Sequence, residues 1–212
     1  MRRVMIDARR PPATALADAA AVIRAGGVVA MPTDTLYGLA ADPFSSSAIG
    51  RVFAVKGRSA ERAMALVAAD VDQVVAQIGA LPDVARRLAA RYWPGPLTLL
   101  LPRPSSIPAA LTGGSDQVGV RVPAHAVTRE LCRVCAQVLT ATSANISGEA
   151  ASEDPDHVAR ALADADVDLL LDAGRTAGGP PSTVVAVFND TVQLIRPGAI
   201  SWDEVQACAQ PK

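Results

Sequence analysis

The sequence predicts an α/β (α+β) fold: a single domain, residues 1–212, with a twisted sheet of mixed parallel and antiparallel strands flanked by helices. Three observations lead to this prediction. Short, wholly apolar runs such as 28–31 are typical of strands covered on both faces. Segments with apolar residues at helical spacing alternate with these runs. Two apolar runs joined across Asn189-Asp190 indicate a hairpin, so some strands must be antiparallel.

Turn and cap residues set the predicted order of the elements. A first helix ends at Gly26-Gly27, the strand after it ends at Pro32, and the next helix, SSSAIGRVFAVKGR, begins with a serine cap. Further helices are predicted at VDQVVAQIG, PDVARRLAARYW, Ala126 to Ala136, from Asp154-Pro155, and from Ser201. Further strands are predicted at AMALVAA, LTLLLP, QVGVRVP, QVLTATSA, VDLLLDAG, STVVAVFN and TVQLIRPG. The connection from Arg103 to Asp116 is predicted to be the most flexible loop.

The composition is that of a globular chain long enough to bury a sizeable core. Half of its 212 residues are apolar, 3% are aromatic, and the formal net charge is -1. The near-zero charge excludes a protein that binds nucleic acid through bulk positive charge. The sequence has no run of about 18 apolar residues and no signal-peptide pattern, so we predict a cytoplasmic protein with no membrane contact.

Cysteines and histidines show no metal-binding pattern, so we predict no metal site built from protein ligands. Three cysteines do not indicate a disulfide scaffold. Cys132 and Cys135 form a lone CxxC inside a helical segment, where core packing is favoured over metal binding. The apolar face of that helix is predicted to contain Leu131, Val134 and Cys135. His125 and His157 lie far apart in sequence and have no ligand-type neighbours.

Polar and cationic residues gather at a few places where apolar elements end. These are PTDT, KGR, the arginine of VGVRVP, and TSANISG, with STVV and IRPG as weaker members. Ligands of α/β proteins usually bind where loops converge at strand ends. We therefore hypothesise that these segments meet at one site.

Each of these places also has a structural interpretation. Thr33 and Asp34 would equally well satisfy the backbone groups of a turn. KGR at a helix end is more often a solvated complement to the helix dipole, and TSANISG would equally serve as an ordinary loop. Arg121 faces opposite to the valines of its strand, and a buried arginine needs an anionic partner.

The polar set favours one kind of ligand. Lys56, Arg58, Arg121 and Arg196 are cations at loop or strand ends, surrounded by hydroxyls and without histidine. Such a set suits a polyanion such as a triphosphate better than acyl transfer by a nucleophile. The sequence contains no GxxxxGK[ST], GxGxxG or GxSxG, which excludes the common phosphate loops and the nucleophile elbow.

Taken in order, these motifs resemble those of the threonylcarbamoyl-AMP synthase family, whose domain is called YrdC-like. The resemblance rests on PTDTLYGLA, KGR, RYWPGPLTLLL, VGVRVP, TSANISGE, STVV and LIRPG, spread from about residue 15 to 200. It implies a YrdC-like fold in the short stand-alone form, with no additional carboxyl-terminal domain. It also implies synthesis of threonylcarbamoyl-adenylate and pyrophosphate from L-threonine, bicarbonate and ATP. The product would serve modification of the adenosine next to the anticodon in tRNAs that read codons beginning with A.

The resemblance further implies roles for individual residues. Lys56 and Arg58 would be catalytic, and Arg121 would pair with the threonine carboxylate. The implied threonine-binding residues are Thr35, Arg121, Thr142 and Ser182. The implied ATP-binding residues are Lys56, Arg58, Arg62, Ser143, Asn145, Ser152 and Arg196. Mg²⁺ would be carried by the ATP phosphates, with no metal ligand from the protein.

The chain departs from the family pattern at four positions. Ser59, Arg62 and Val67 stand where the family often has proline, asparagine and histidine, and Gln117 stands where a threonine is common.

The implied partner is a downstream tRNA-modifying transferase complex, together with a weak tRNA contact. Two other functions stay open at this point. One is a non-catalytic RNA-binding or ribosome-maturation factor, against which the few aromatic residues count. The other is a carbamoyl-transferring relative that adenylates carbamate from another donor.

Overall fold

The computed structural model describes residues 1–57, 63–189 and 191–210, and its centre is a ten-stranded sheet. The strands are β1 (Arg2–Met5), β2 (Val29–Met31), β3 (Gly38–Ala40), β4 (Ala65–Val67), β5 (Leu97–Pro102), β6 (Gln117–Arg121), β7 (Leu139–Ser143), β8 (Leu169–Asp172), β9 (Thr183–Phe188) and β10 (Thr191–Arg196). Their order across the sheet is β1-β8-β2-β3-β7-β4-β6-β5-β9-β10. Parallel pairs join β8 to β1 and β2, β4 to β6, and β5 to β9. The remaining pairs are antiparallel, which confirms the predicted mixed sheet.

Helices flank this sheet close to where the sequence predicts them. They are α1 (Ala13–Arg24), α2 (Ser46–Lys56), α3 (Val71–Gln77), α4 (Asp83–Tyr92), α5 (Ala126–Cys135), α6 (Pro155–Ala161) and α7 (Trp202–Ala209). The predicted serine cap of α2 is Ser45, whose side chain accepts a hydrogen bond from the Ala48 N–H. Ser201 forms a capping box with Glu204 at the start of α7. Of the described helices, none has the length and apolar character needed to cross a membrane.

The two faces of the sheet belong to two different cores. Neighbouring residues of a strand point to opposite faces. Val67 accordingly packs with α1 and α5, while its neighbour Leu66 packs with Val120 in the larger core, to which α2, α4 and α7 contribute. Both layers are built mainly from aliphatic side chains, as the composition requires.

One part of the sheet lacks a helical cover on the face of α1 and α5. Within the described chain, the core under these helices takes side chains from β2, β3, β4, β7 and β8 but not from β5, β6 or β9. On that same face, the register aligns Arg121 with Val67, Gly119 with Leu100, and Thr98 with Val184. Of these residues, Val67 is covered by the helices, while Arg121, Gly119, Leu100, Thr98 and Val184 face an open space.

Two strands were not predicted from the sequence. β1 lies at one edge of the sheet, and its mostly exposed residues show no apolar alternation. β3 has only three residues, one of them Gly38, and pairs antiparallel with both β2 and β7. Their pairing comes from tertiary context, because neither segment has strong strand propensity of its own.

Two smaller expectations need adjustment. The 103–116 loop contains a 3-10 turn, Ala109–Thr112, and packs Ile107 and Leu111 into the core, so it has more internal structure than the sequence suggests. The predicted apolar face of α5 is wrong in one member: Val134 is 36% exposed, and Cys132 packs in the core in its place. Cys132 and Cys135 are both buried free thiols, which confirms core packing for the CxxC.

Candidate functional site

A cavity of about 710 Å³ lies over the part of the sheet that α1 and α5 leave open. Gly119 keeps its floor flat. A Cβ on Gly119 would come within 3.2 Å of Thr98 Cγ2 and 3.3 Å of Leu100 Cδ2, so a larger residue there would force both side chains to move. The strand glycine of VGVRVP thus leaves room for a ligand above the sheet.

This cavity gathers residues that are far apart in sequence. All four residues predicted to bind threonine line it, as do two of those predicted to bind ATP. They are Thr35, Arg121, Thr142, Ser182, Ser143 and Arg196. Convergence of the PTDT, VGVRVP, TSANISG, STVV and IRPG segments is therefore observed, while the ligand roles of these residues stay predictions.

Arg121 is held at the cavity wall by two hydrogen bonds. Its Nε donates to the Gly95 carbonyl oxygen at 2.9 Å, and its Nη2 donates to Asp34 Oδ1 at 2.5 Å. Both side chains of this ion pair are largely buried, with 10% and 13% exposed. The anionic partner that a buried arginine needs is thus Asp34, for which the sequence predicts either turn chemistry or a role at the site.

A second guanidinium lies near the first. Arg196 Nη2 donates to the Ser182 carbonyl oxygen at 2.8 Å and to Ser182 Oγ at 3.1 Å. Ser182 Oγ also lies 2.9 Å from Thr98 Oγ1. Burial and, to a smaller extent, the charge of Arg121 lower the pKa of Arg196 from its ordinary value. Two neighbouring cations of this kind favour an anionic ligand between them.

Thr98 lines the cavity but was not singled out from the sequence. It lies in the apolar strand LTLLLP and faces opposite to Leu97, Leu99 and Leu101, which are buried in the larger core. A lone hydroxyl at alternate spacing in an apolar strand is the signal that could have identified it.

The PTDT segment combines turn chemistry with a site role. Thr33 Oγ1 donates to the Leu36 carbonyl oxygen at 2.7 Å and accepts from the Thr35 N–H at 3.2 Å, so Thr33 does stabilise the turn. The Thr35 carbonyl oxygen accepts from Thr176 Oγ1 at 2.6 Å and from the Gly178 N–H at 3.0 Å. These bonds fix the loop from both sides, and the Thr35 side chain lies at the cavity.

Lys56 is buried behind the cavity wall, with 2% of its surface exposed. Its Nζ donates to the Ser143 carbonyl oxygen at 2.7 Å, to Ser143 Oγ at 3.2 Å and to Asn145 Oδ1 at 2.6 Å. Asn145 Nδ2 in turn donates to the Glu149 carbonyl oxygen at 2.7 Å. The interpretation of this lysine as a solvated surface group is wrong, since its ammonium group organises the TSAN turn.

The other predicted site residues have different positions. Asn145 and Ser152 are buried and do not contribute to the cavity lining, and the Ser152 hydroxyl accepts from the Asp154 N–H. Arg58 and Arg62 lie outside the described residues, as does Ser59. At the remaining positions that depart from the family pattern, Val67 lines the cavity and Gln117 does not.

His125 lies close enough to Asp34 to be affected by the charge of its carboxylate. It precedes the first turn of α5, and its buried Nδ1 has no hydrogen-bond partner among the residues described. Burial lowers the pKa of His125, and the nearby Asp34 carboxylate opposes this effect. The imidazole is therefore neutral in the folded protein near pH 7.

The half-buried His125 predicts a pH dependence of stability. In the unfolded chain His125 takes up a proton as the pH falls through about 6.5, while the folded chain resists protonation until lower pH. The free energy of unfolding should therefore fall below this pH more steeply for the wild type than for His125→Gln. Urea unfolding at a series of pH values measures it, with the exposed His157→Gln as the matched control. Parallel curves for wild type and His125→Gln would contradict the assignment.

Comparison with known proteins gives the family. The profile of the Sua5/YciO/YrdC family, described as "Telomere recombination", matches residues 21–198. The chain belongs to this family. A threonylcarbamoyl-AMP synthase of Pseudomonas aeruginosa is 37% identical over 179 residues, which are 84% of this chain and 95% of the relative.

Longer Sua5/YciO/YrdC proteins are also similar. A threonylcarbamoyl-AMP synthase of Pyrococcus abyssi is 38% identical over 188 residues, covering 89% of this chain and 55% of the relative. The crystal structure of Pyrococcus abyssi Sua5 complexed with L-threonine superimposes with a TM-score of 0.90 and 36% identity, covering 97% of this chain and 60% of the other. The chain thus spans less than two thirds of these relatives, and the matched part carries the fold described above.

Proposed function

We propose that this family member is an L-threonylcarbamoyladenylate synthase, a nucleotidyltransferase that makes threonylcarbamoyl-AMP and pyrophosphate from L-threonine, bicarbonate and ATP. The observation that carries the proposal is the cavity, in which Thr35, Arg121, Thr142 and Ser182 come together beside Ser143 and Arg196. The names of the relatives and the threonine bound to the Pyrococcus protein support it.

We define the threonine end of the cavity as the part lined by Arg121, Thr35 and Ser182, whose polar groups suit a small zwitterion. Arg121 presents a guanidinium for the carboxylate, and Thr35 and Ser182 add hydroxyls for the polar groups of the substrate. Leu100, Val67 and Ala141 supply apolar surface in the same cavity, against which the methyl group of threonine would pack. A single amino acid fits this combination better than an extended polymer does.

We assign the phosphates of ATP to the part of the cavity near Arg196 and Ser143, on the basis of charge. The described residues that line the cavity include two guanidiniums and no carboxylate, so their field attracts phosphates. Arg196 offers donors at the wall, and Lys56 places a further positive charge behind Ser143. We assign Lys56 to hold the TSAN turn and stabilise charge through it. Asn145 supports the same turn, while Arg58, Arg62 and Ser152 stay predicted ATP ligands.

The proposed chemistry needs positioning rather than a nucleophilic side chain. The threonine nitrogen forms a bond to the carbon of bicarbonate and water leaves, which gives a carbamate. A carbamate oxygen then forms a bond to the α-phosphorus of ATP while the bond to the pyrophosphate oxygen breaks. The fixed guanidiniums stabilise the charge that moves onto the phosphates, and Arg121 keeps the threonine part in place.

The donor set fits Mg²⁺ carried by the ATP phosphates. No cluster of three histidine, cysteine or acidic side chains that could hold a metal ion occurs in the described part of the chain. Mg²⁺ prefers oxygen ligands and commonly binds through substrate phosphates, where it would neutralise part of their charge. That the protein itself supplies no metal ligand stays a prediction.

Pyrophosphate release tests the proposed function. Purified protein is incubated with ATP, magnesium and bicarbonate, and each amino acid is added in turn. We expect release that requires both threonine and bicarbonate. Release without threonine would favour a carbamoyl-transferring relative with another donor, and no release in any mixture would contradict the proposal. The comparisons lend no support to the non-catalytic RNA-binding alternative.

The proposed product also defines the partner. A mixed anhydride of a carbamate and a phosphate is unstable in water, so a transferase must consume it close to where it forms. We propose that this partner is a tRNA-modifying transferase complex, which would place threonylcarbamoyl on the adenosine next to the anticodon. Direct tRNA contact by this chain and a cytoplasmic location stay predictions.

A further inference from the structure

We propose that Asp34 is a positioning residue that aims the Arg121 guanidinium into the cavity. The kinetic form of this inference rests on the proposed function, because it concerns the arginine assigned to the substrate carboxylate. Its structural form concerns only the orientation of one side chain and can be tested separately.

The guanidinium of Arg121 is fixed at two points. Gly95 provides the first, since its carbonyl oxygen accepts from Arg121 Nε at 2.9 Å. Gly95 is itself tied to the same strand region, because its N–H donates to the Val122 carbonyl oxygen at 2.8 Å. Asp34 provides the second point at Nη2. One contact alone would leave the guanidinium free to swing about that contact, whereas two contacts define its plane.

Asp34 acts on the arginine rather than on the ligand. Its neighbours Thr33 and Thr35 line the cavity, but Asp34 itself does not contribute to the lining. Only 13% of its side chain is exposed. The loop that carries it is anchored through the Thr35 carbonyl oxygen by Thr176 and Gly178. The Asp34 carboxylate therefore has a fixed position next to Arg121 and outside the cavity lining.

This arrangement leaves a usable edge on the guanidinium. Nη1 has no hydrogen-bond partner within the described residues, and Arg121 lines the cavity. A guanidinium presents several N–H donors in a fixed fork, and a carboxylate ligand needs two that are adjacent. Both N–H groups of Nη1 and the second N–H group of Nη2 stay available while Nη2 remains bonded to Asp34. Substrate can therefore bind without breaking the ion pair.

Substitutions at Asp34 separate positioning from charge. Asp34→Asn keeps an Oδ1 acceptor for Nη2, and Asp34→Ala removes it. We expect Asp34→Ala to raise the KM for threonine by about 10- to 100-fold, because a small misplacement of a binding group is costly, with the KM for ATP unchanged. Asp34→Asn should retain most of the threonine affinity. The matched control is Asp166→Ala, which removes an ion pair with Arg51 away from the cavity.

The orientation itself is measured by nuclear magnetic resonance of the Arg121 guanidinium, assigned with Arg121→Lys. Rotation about its Cζ–Nε bond should be slow in wild type and Asp34→Asn and faster in Asp34→Ala. Should Asp34→Ala not fold, Asp34→Ser, whose short hydroxyl does not reach Nη2, replaces it. This readout does not depend on catalysis, so a protein without threonine-dependent turnover would refute the proposed function and leave the positioning claim decidable.

Three results would overturn the inference. Equal rotation rates in wild type and Asp34→Ala would show that Asp34 does not fix the guanidinium. Equal loss of threonine affinity in Asp34→Asn and Asp34→Ala would mean that the charge acts directly, for instance on the substrate ammonium group. Tighter threonine binding in Asp34→Ala would mean that Asp34 competes with the substrate for Arg121.

Discussion

Lys56→Met is expected to lower the free energy of unfolding by about 2 to 4 kcal/mol and to reduce pyrophosphate release by about 100-fold. Methionine fills a similar volume but cannot donate to Ser143 or Asn145, so three hydrogen bonds from a charged donor are lost. The Ser143 carbonyl oxygen and Asn145 Oδ1 each keep one other donor, the Asn145 N–H and the Ser143 hydroxyl. A hydrogen bond to a charged group contributes about 1.5 to 3 kcal/mol, and the removal of a buried charge offsets part of the loss of three such bonds. Urea unfolding and the pyrophosphate assay give the two numbers.

The control for Lys56→Met is Arg160→Met, which removes an exposed cation on α6. Surface substitutions of this kind usually change stability by less than about 0.5 kcal/mol. A Lys56→Met protein with wild-type stability and wild-type activity would contradict both the structural and the functional role of the lysine. Loss of activity with stability retained would point to a direct contact between Lys56 and ATP.

Arg121→Lys is expected to lower kcat/KM for threonine by an amount equivalent to about 1.5 to 3 kcal/mol, the range for a charged hydrogen bond. A lysine ammonium group cannot hold Gly95 and Asp34 and still present a planar fork to a carboxylate. The change should fall on threonine and leave the KM for ATP unchanged. Steady-state kinetics with each substrate varied in turn measures the difference.

Two comparisons make the Arg121 result specific. Arg51→Lys changes an arginine that pairs with Asp166 outside the cavity and should leave threonine kinetics unchanged. Arg121→Ala would also leave the buried Asp34 carboxylate without its cation and should lower stability by about 3 to 5 kcal/mol, so it is the less informative variant. A wild-type KM for threonine in Arg121→Lys would show that the strand arginine has only a structural role.

Much of the fold follows from local patterns in the sequence. Apolar runs, glycine and proline stops and serine caps give most strands and all the described helices, because these signals act over a few residues. β1 and β3 are not predicted from the sequence, because they are short and gain their stability from pairing with β8, β2 and β7. The position of α1 and α5 over one part of a face, which creates the cavity, is a tertiary property that periodicity does not encode.

The sequence predicts several residues that line the cavity, but it does not predict which side chains bond to each other. Arg121 facing opposite to its valines, and hydroxyls at strand ends, identified several lining residues. The Arg121–Asp34 pair joins residues 87 positions apart, and the Lys56–Asn145 bond joins residues 89 apart. No spacing rule links such positions. The burial of Lys56 could not be predicted from the sequence either, because a lysine at a helix end is usually solvated.

Formation of the adenylate from labelled bicarbonate tests the central claim most directly. The claim is that the cavity holds threonine and ATP and joins them through bicarbonate. Protein is incubated with ATP, magnesium, L-threonine and carbon-13 bicarbonate, and the products are separated and weighed by mass spectrometry. We predict threonylcarbamoyl-AMP that carries the label, formed by the wild type and greatly reduced in Arg121→Lys. An absence of labelled adenylate in the wild type, or equal amounts from both proteins, would contradict the claim.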